Sequence, residues 1–434
     1  MIAAARLAAA IEVVADIETR RRPAADVLKD WGLNHRFAGS SDRAAIAGLV
    51  YDALRRKSSS AWIAGDNSPR GVLLGMLRQE RGLGVDELEK LCSGARFSPP
   101  PLTPAEQASL SADSLSGAPP AVLGDYPEWL DPYFSRVFGD DRAAEGAALA
   151  RRAPLDLRVN TLRSERDEVQ PKLEDLHAEP TQWSPIGLRI RLAADAKNPA
   201  LHAEPAFRKG MVEIQDEASQ LAALFAGAKP GEQVVDLAAG AGGKTLALAA
   251  AMDNRGQIYA TDISKRQLVP IHERIARAGV RNVQVRTPRG TTDALTDLDG
   301  RIGLVLIDAP CTGTGAWRRN PDAKWRVRPG ALEERLAQQR TLLDRAAELV
   351  KPAGRIAYVT CSVLGEENGA QVRDFMARHP EYALIPPREV AAAVLGEQAE
   401  SFCAAALLSA EGLLMTPRRT DTDGFYVALM RAPG

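Results

Sequence analysis

Apolar residues recur along this 434-residue chain with two different periods, and the change from one to the other divides it. Up to about residue 94 the spacing is helical. Ala8, Ile11, Val14 and Ile17 share one face ahead of Arg20, Arg21 and Arg22. Ile46, Leu49, Val50 and Leu54 share another, after a cap at Ser41 or Asp42 and before Arg55, Arg56 and Lys57. Leu73, Leu74, Met76 and Leu77 indicate a further helix. Residues 95–124 break the pattern with Pro99, Pro100, Pro101, Pro104, Pro119 and Pro120 and read as a linker or extended wrap. Order restarts at Tyr126, Trp129 and Leu130. Helices at 143–152 and 165–177 then mix with alternating strands at Leu155, Leu157, Val159 and at Leu188, Ile190, Leu192. That mixture predicts a small α+β domain over 125–210.

From residue 211 strands and helices alternate. Strands are expected at 234–237, 258–261, 283–286, 304–307 and 355–360, with helices at 244–252, 265–278 and 331–350, and a last strand near Val427–Leu429. Short apolar runs separated by helices predict an α/β, doubly wound parallel sheet over 211–434. The expected domains are therefore 1–124, 125–210 and 211–434.

Composition narrows the class. Hydrophobic residues make up 45% and charged ones 26%, as in globular proteins. The formal net charge is −1, so nucleic-acid binding cannot rest on overall basicity and needs local patches. The four cysteines, Cys92, Cys311, Cys361 and Cys403, form no CxxC and predict neither a disulfide framework nor a metal site. Free thiols fit a reducing cytoplasm. No stretch reads as a signal peptide or a membrane span, and a monomer is expected.

Chemistry concentrates at strand ends, where ligands sit in open α/β sheets. The strand at 234–237 runs into Ala238, Ala239, Gly240, Ala241, Gly242, Gly243 and Lys244. A P-loop would need Gly where Ala238 stands, and a dinucleotide fingerprint would need Gly at Thr245. Asp262 follows about 20 residues on, the usual distance for an acid that binds ribose hydroxyls. A Gly-rich turn with a ribose acid, without a phosphate cradle, suits a nucleoside ligand such as S-adenosylmethionine; a nicotinamide enzyme is the alternative. Two thiols favour the former. Cys311 follows Asp308, Ala309 and Pro310 after one strand, and Cys361 ends the next. Arg318, Arg319, Lys324 and Trp325 come just beyond Cys311, a mixture of cations and aromatic rings suited to single-stranded nucleic acid. Whether the N-terminal arginine clusters dock RNA or are only solvated is open on pattern alone.

These residues carry a family resemblance. IQDEASQ (214–220), DLAAGAGGKT (236–245), DAPCTGTG (308–315), RRNPDAKW (318–325), YVTCSVLGEEN (358–368) and DGFYVA (423–428) resemble motifs of the Sun (Fmu) family of RNA cytosine-5 methyltransferases. DRAAIAGLVYDALRR (42–56) resembles its NusB-like N-terminal domain, found in the branch that modifies small-subunit ribosomal RNA. The resemblance implies a Rossmann-like catalytic domain that uses S-adenosylmethionine to form 5-methylcytidine, with 16S ribosomal RNA as substrate. Transfer RNA or DNA as substrate, or a non-catalytic role in ribosome assembly, are the alternatives. It implies Cys361 as the nucleophile, Cys311 as the aid to release and Asp308 beside the cytosine or the cofactor. The loop 238–244 would line the methionine end, Asp262 the ribose and Ile263 the adenine. The family's usual loop has Cys at Ala238 and Pro at Ala241, and its usual acid after the third strand falls near Arg289. Removal of 1–124 is expected to weaken RNA binding and to spare S-adenosylmethionine affinity.

Overall fold

The structure is a computed structural model that describes residues 1–434 apart from 113, 193–198 and 289–292. It comprises two compact units. One is Met1–Arg152 together with Trp317–Arg328, and the other is Ala153–Ala316 together with Pro329–Gly434. The expected break at 124 lies inside the first unit.

The first unit is helical. Helix Ala3–Arg20 buries Leu7, Ala10, Val13, Val14 and Ile17, which recur every three or four residues along one face. They pack with Ile46, Val50 and Leu54 of helix Ser40–Arg55 and with Leu73 and Leu74 of helix Pro69–Arg81. Pro69 takes the first turn of its helix, where a missing N–H costs nothing, and the Ser68 hydroxyl accepts from Gly71 N. Among its described residues the proline-rich stretch carries two short helices, Pro104–Ala112 and Pro120–Leu123. Arg70 pins it, donating to Pro100 O, Pro101 O and the Glu106 carboxylate. Several of the arginine-cluster charges are paired inside the unit: Arg20 with Asp16, Arg22 with Asp30, Arg56 with Glu80 and Lys57 with Glu18.

The second unit holds two sheets. A four-stranded antiparallel sheet has the order Glu179–Pro180, Gly187–Ile190, Leu155–Val159, Val212–Ile214. Asn160, just after its third strand, donates to Gly210 O and Ala278 O. The larger sheet contains five parallel strands in the order Val350–Thr360, Ile302–Asp308, Gln233–Asp236, Gln257–Ala260, Val283–Val285. The strand-and-helix alternation anticipated this half. The other half corrects the all-parallel expectation. Phe425–Arg431 runs antiparallel to Val350–Thr360 and is flanked by Leu413–Met415 and Ala383–Ile385, also antiparallel. The helix expected over 265–278 is two helices, Lys265–Leu268 and Ile271–Ala278, because Pro270 cannot supply the backbone N–H of a continuous one. Asp236, Asp308 and Thr360 end three adjacent parallel strands, so the residues after them emerge at one edge of the sheet.

Candidate active site

The Gly-rich turn leaves the central strand at Asp236 and enters helix Gly243–Ala251. Gly240 has φ +52°, which favours glycine, and a Cβ there would point into open space. Gly242 faces the protein instead: a Cβ at this position would lie 2.4 Å from Ile271 Cγ1. Asp262, buried at the end of the neighbouring strand, ties the turn down. Its Oδ2 accepts from Gly240 N at 3.0 Å and its Oδ1 from Ser264 N at 2.8 Å. The Gln267 side-chain amide reaches the same carboxylate, at 3.3 Å from Oδ1 and 3.2 Å from Oδ2. Ile263, next to it, is 95% exposed, an apolar side chain left uncovered beside that acid.

Beneath the turn lies a buried carboxyl. Asp236 Oδ2 accepts from Thr245 Oγ1 at 2.7 Å, while Oδ1 has no partner. Burial raises this carboxyl to about 7, and the nearby charges of Asp308 and Asp262 add to the rise. An orphaned buried oxygen, an open glycine, an acid at the strand end and an uncovered apolar side chain are the features a bound nucleoside sulfonium would use. The turn 238–244, Asp262 and Ile263 therefore fit S-adenosylmethionine. Arg289 lies outside the described residues.

Lys244 belongs to the first helical turn after the loop and donates to Asp308 Oδ2 at 2.8 Å. Its ammonium also lies 4.9 Å from the centre of the Phe425 ring. The pair sets a half-buried carboxylate between the glycine loop and the thiols. Cys311 Sγ and Cys361 Sγ stand 3.3 Å apart. This follows from topology, because strands 302–308 and 350–360 are parallel neighbours, with Asp308 opposite Val359. The hydrogen bond with Cys361 pushes the Cys311 thiol well up, and burial and the charges of Cys361 and Glu367 push the same way. Cys92 and Cys403 are buried in the cores of the first and second units respectively.

Two of the four residues expected to hold flanking RNA are buried, which corrects that assignment. Lys324 is 1% exposed and donates to Arg55 O and Asp125 O, both at 2.7 Å. Arg318 is 3% exposed, and its carbonyl accepts from Arg55. Trp325 is half-buried and donates through Nε1 to Leu54 O. Arg319 is partly buried. The segment is part of the helical unit's interior, so its charges and rings are spent on packing. Sequence reasoning also passed over Glu367, Asn368 and Gln339, buried polar residues around the thiols. Their only signal was position within the 358–368 motif and on the long helix.

A Gly-rich turn after one parallel strand, a ribose-type acid after the next and paired groups at the same sheet edge define an S-adenosylmethionine-dependent methyltransferase. Residues 223–431 match the family described as 16S rRNA methyltransferase RsmB/F, and residues 126–197 match its ferredoxin-like domain. The ribosomal RNA small subunit methyltransferase B of Sodalis glossinidius is 32% identical over 72% of this chain and 69% of its own length. A probable methyltransferase B of Synechocystis is 29% identical over 73% of this chain. The crystal structure of PH0851 superposes with a TM-score of 0.70 and 26% identity, covering 99% of both chains. The chain belongs to the RsmB/F family of small-subunit ribosomal RNA methyltransferases. It spans about 66% and 65% of the length of two of the curated relatives it matches. No helix among the described residues is long and apolar enough to cross a membrane.

Proposed function

We propose that this protein methylates C5 of a cytosine in small-subunit ribosomal RNA, through a transient bond between Cys361 and C6 of the base. The observation that carries this reading is the pair of thiols 3.3 Å apart at the ends of adjacent strands, beside the Lys244–Asp308 pair. Cytosine C5 is a weak nucleophile until a thiolate adds at C6 and pushes electron density onto it. Bound S-adenosylmethionine supplies the electrophilic methyl group.

The chain's own residues divide the remaining work. The family resemblance gives Cys361 the attack and Cys311 the release, and the hydrogen bond between the two thiols keeps the proton on Cys311 before the base is bound. Addition turns the Cys361 sulfur into a neutral thioether and ends the repulsion that kept the proton on Cys311. Cys311 can then lose its proton to solvent and take the C5 proton, so that the C6–S bond breaks and Cys361 leaves as thiolate. Asp308, paired with Lys244, contacts the polar edge of the flipped base or the cofactor in this reading. Asp262 and the 238–244 turn hold the cofactor. Such an enzyme works in the cytoplasm, where its RNA is made.

Bisulfite sequencing of 16S ribosomal RNA from cells with and without the protein tests the proposal. One protected cytosine that disappears with the protein is expected. Protection found only in transfer RNA or DNA would move the activity to that substrate, and no change in any of them would leave a non-catalytic assembly protein.

A further inference from the structure

Two adjacent residues after the second thiol, Glu367 and Asn368, reach one to each cysteine loop. Glu367 is fully buried. Its carboxylate accepts from Thr312 N at 2.8 Å and from Thr312 Oγ1 at 2.5 Å, immediately after Cys311. Gln339, buried on helix Pro329–Leu349, donates to the same carboxylate at 3.1 Å and to Pro310 O, immediately before Cys311, at 3.0 Å. Both neighbours of Cys311 are thus fastened through Glu367. Asn368 treats Cys361 in the same way. Its Oδ1 accepts from Thr360 Oγ1 at 2.6 Å and its Nδ2 donates to Ser362 O at 2.9 Å. The Tyr358 hydroxyl donates to Glu367 O at 2.6 Å and anchors the turn to the strand that delivers Cys361.

We propose that Glu367 and Asn368 are positioning residues with separate duties: Glu367 sets the loop of Cys311, the releasing group, and Asn368 sets that of Cys361, the nucleophile. A buried carboxylate is costly unless each oxygen is hydrogen-bonded, and here Thr312 and Gln339, which donate to it, belong to or hold the loop of the first thiol. The division of labour rests on the covalent reading above; the division of contacts does not. Glu367 has a second effect that Asn368 lacks. Its negative charge opposes ionisation of Cys311, which is also faced by Cys361 and Tyr358.

Two measurements on the full chain test this, using Glu367→Gln and Asn368→Ala, with S-adenosylmethionine affinity as the control for folding. The first needs no RNA. Alkylation by iodoacetamide is followed at each cysteine by mass spectrometry across pH 7–9. Glu367→Gln is expected to speed modification of Cys311 at least threefold and leave Cys361 within twofold; Asn368→Ala, which removes loop hydrogen bonds and no charge, should change the rate at Cys361 at least threefold and leave Cys311 within twofold. Equal changes at both thiols, or none in either variant, overturn the proposal even if no RNA adduct ever forms. The second measurement separates steps on RNA. Glu367→Gln should form the protein–RNA adduct at near the parent rate and release it at least tenfold more slowly, so that the adduct accumulates. Asn368→Ala should form it at least tenfold more slowly, with no accumulation. If Cys311→Ala run alongside traps no adduct, the covalent reading fails on its own and the alkylation result alone decides the positioning roles.

Discussion

At the scale of single residues, the two thiols are told apart by what their loss does. Cys361→Ala is expected to be inactive and to form no covalent complex with RNA. Cys311→Ala should give a complex stable to denaturing electrophoresis when RNA and S-adenosylmethionine are both present, because elimination follows methyl transfer. The reverse pattern would exchange the roles, and turnover by both variants would end the covalent mechanism. The cofactor turn offers a second contrast. Gly240 faces open space, whereas a side chain at Gly242 strikes Ile271. A Val at Gly242 therefore tests packing rather than the ligand site. Gly240→Val should weaken S-adenosylmethionine binding at least tenfold in calorimetry while lowering the melting temperature by only a few degrees. Asp262→Ala removes the anchor of Gly240 N and, in the reading proposed above, a ribose partner. The affinity loss should be about 1–3 kcal/mol, the range for charged hydrogen bonds.

Among elements, the tightest meeting near the thiols is between the Cys311 loop and the turn before strand Phe425–Arg431. Gly315 N donates to Cys361 O and Gly424 N donates to Gly315 O, each at 2.9 Å. A Cβ on Gly315 would fall 2.0 Å from Gly424 O. Gly315→Ala must push the two backbones apart, at a cost of about 1–3 kcal/mol. Chemical denaturation should show that loss, together with a lower rate of adduct formation. In the helical unit the corresponding feature is Lys324. Burial pushes its amine down to about 7, and Arg56 and Arg55 add to the fall while Asp125 opposes it. An unfolded lysine titrates near 10.4. Between about pH 7 and that value the unfolded chain therefore holds a proton that the folded one does not, so stability rises with pH. The parent should gain in melting temperature over Lys324→Met as pH is raised from 7 to 9. A constant difference would mean that Lys324 stays charged when folded.

For the whole molecule, the crossing of residues 317–328 into the helical unit changes what a truncation does. Trp317 is fully buried there and stacks on Phe134, and Asp322 accepts from Ala24 N. Cutting the chain before residue 153 leaves both tryptophans and Lys324 without their surroundings, yet still joined to the thiol loop at one end and to helix Pro329–Leu349 at the other. Such a fragment should aggregate or bind a hydrophobic dye and lose S-adenosylmethionine affinity. That differs from the outcome expected for removal of residues 1–124, which is weaker RNA binding with S-adenosylmethionine affinity spared. A soluble fragment with parental affinity would restore it.

The sequence by itself determined the helical N-terminal segment, the parallel half of the large sheet and the shared edge of both thiols and the glycine turn. These follow from local periodicity and from the rule that successive parallel strands end on one side, so the turn 238–244 and residues 262, 308, 311 and 361 could be grouped without coordinates. Only the tertiary structure decided the rest. Strands Leu413–Met415 and Ala383–Ile385 are three residues each, too short for a period to register, and exist because Phe425–Arg431 offers them an edge. Lys324 and Arg318 read as solvent-facing cations because charge runs usually are. Their burial depends on Arg55, 269 and 263 positions earlier, whose carbonyl accepts from Lys324 and whose side chain donates to the Arg318 carbonyl. The hold of Glu367 and Asn368 on the two cysteine loops is likewise invisible in sequence. It joins residues 310, 312, 339, 360 and 362, whose spacing has no period and whose hydrogen bonds form only once two strands and a helix have met.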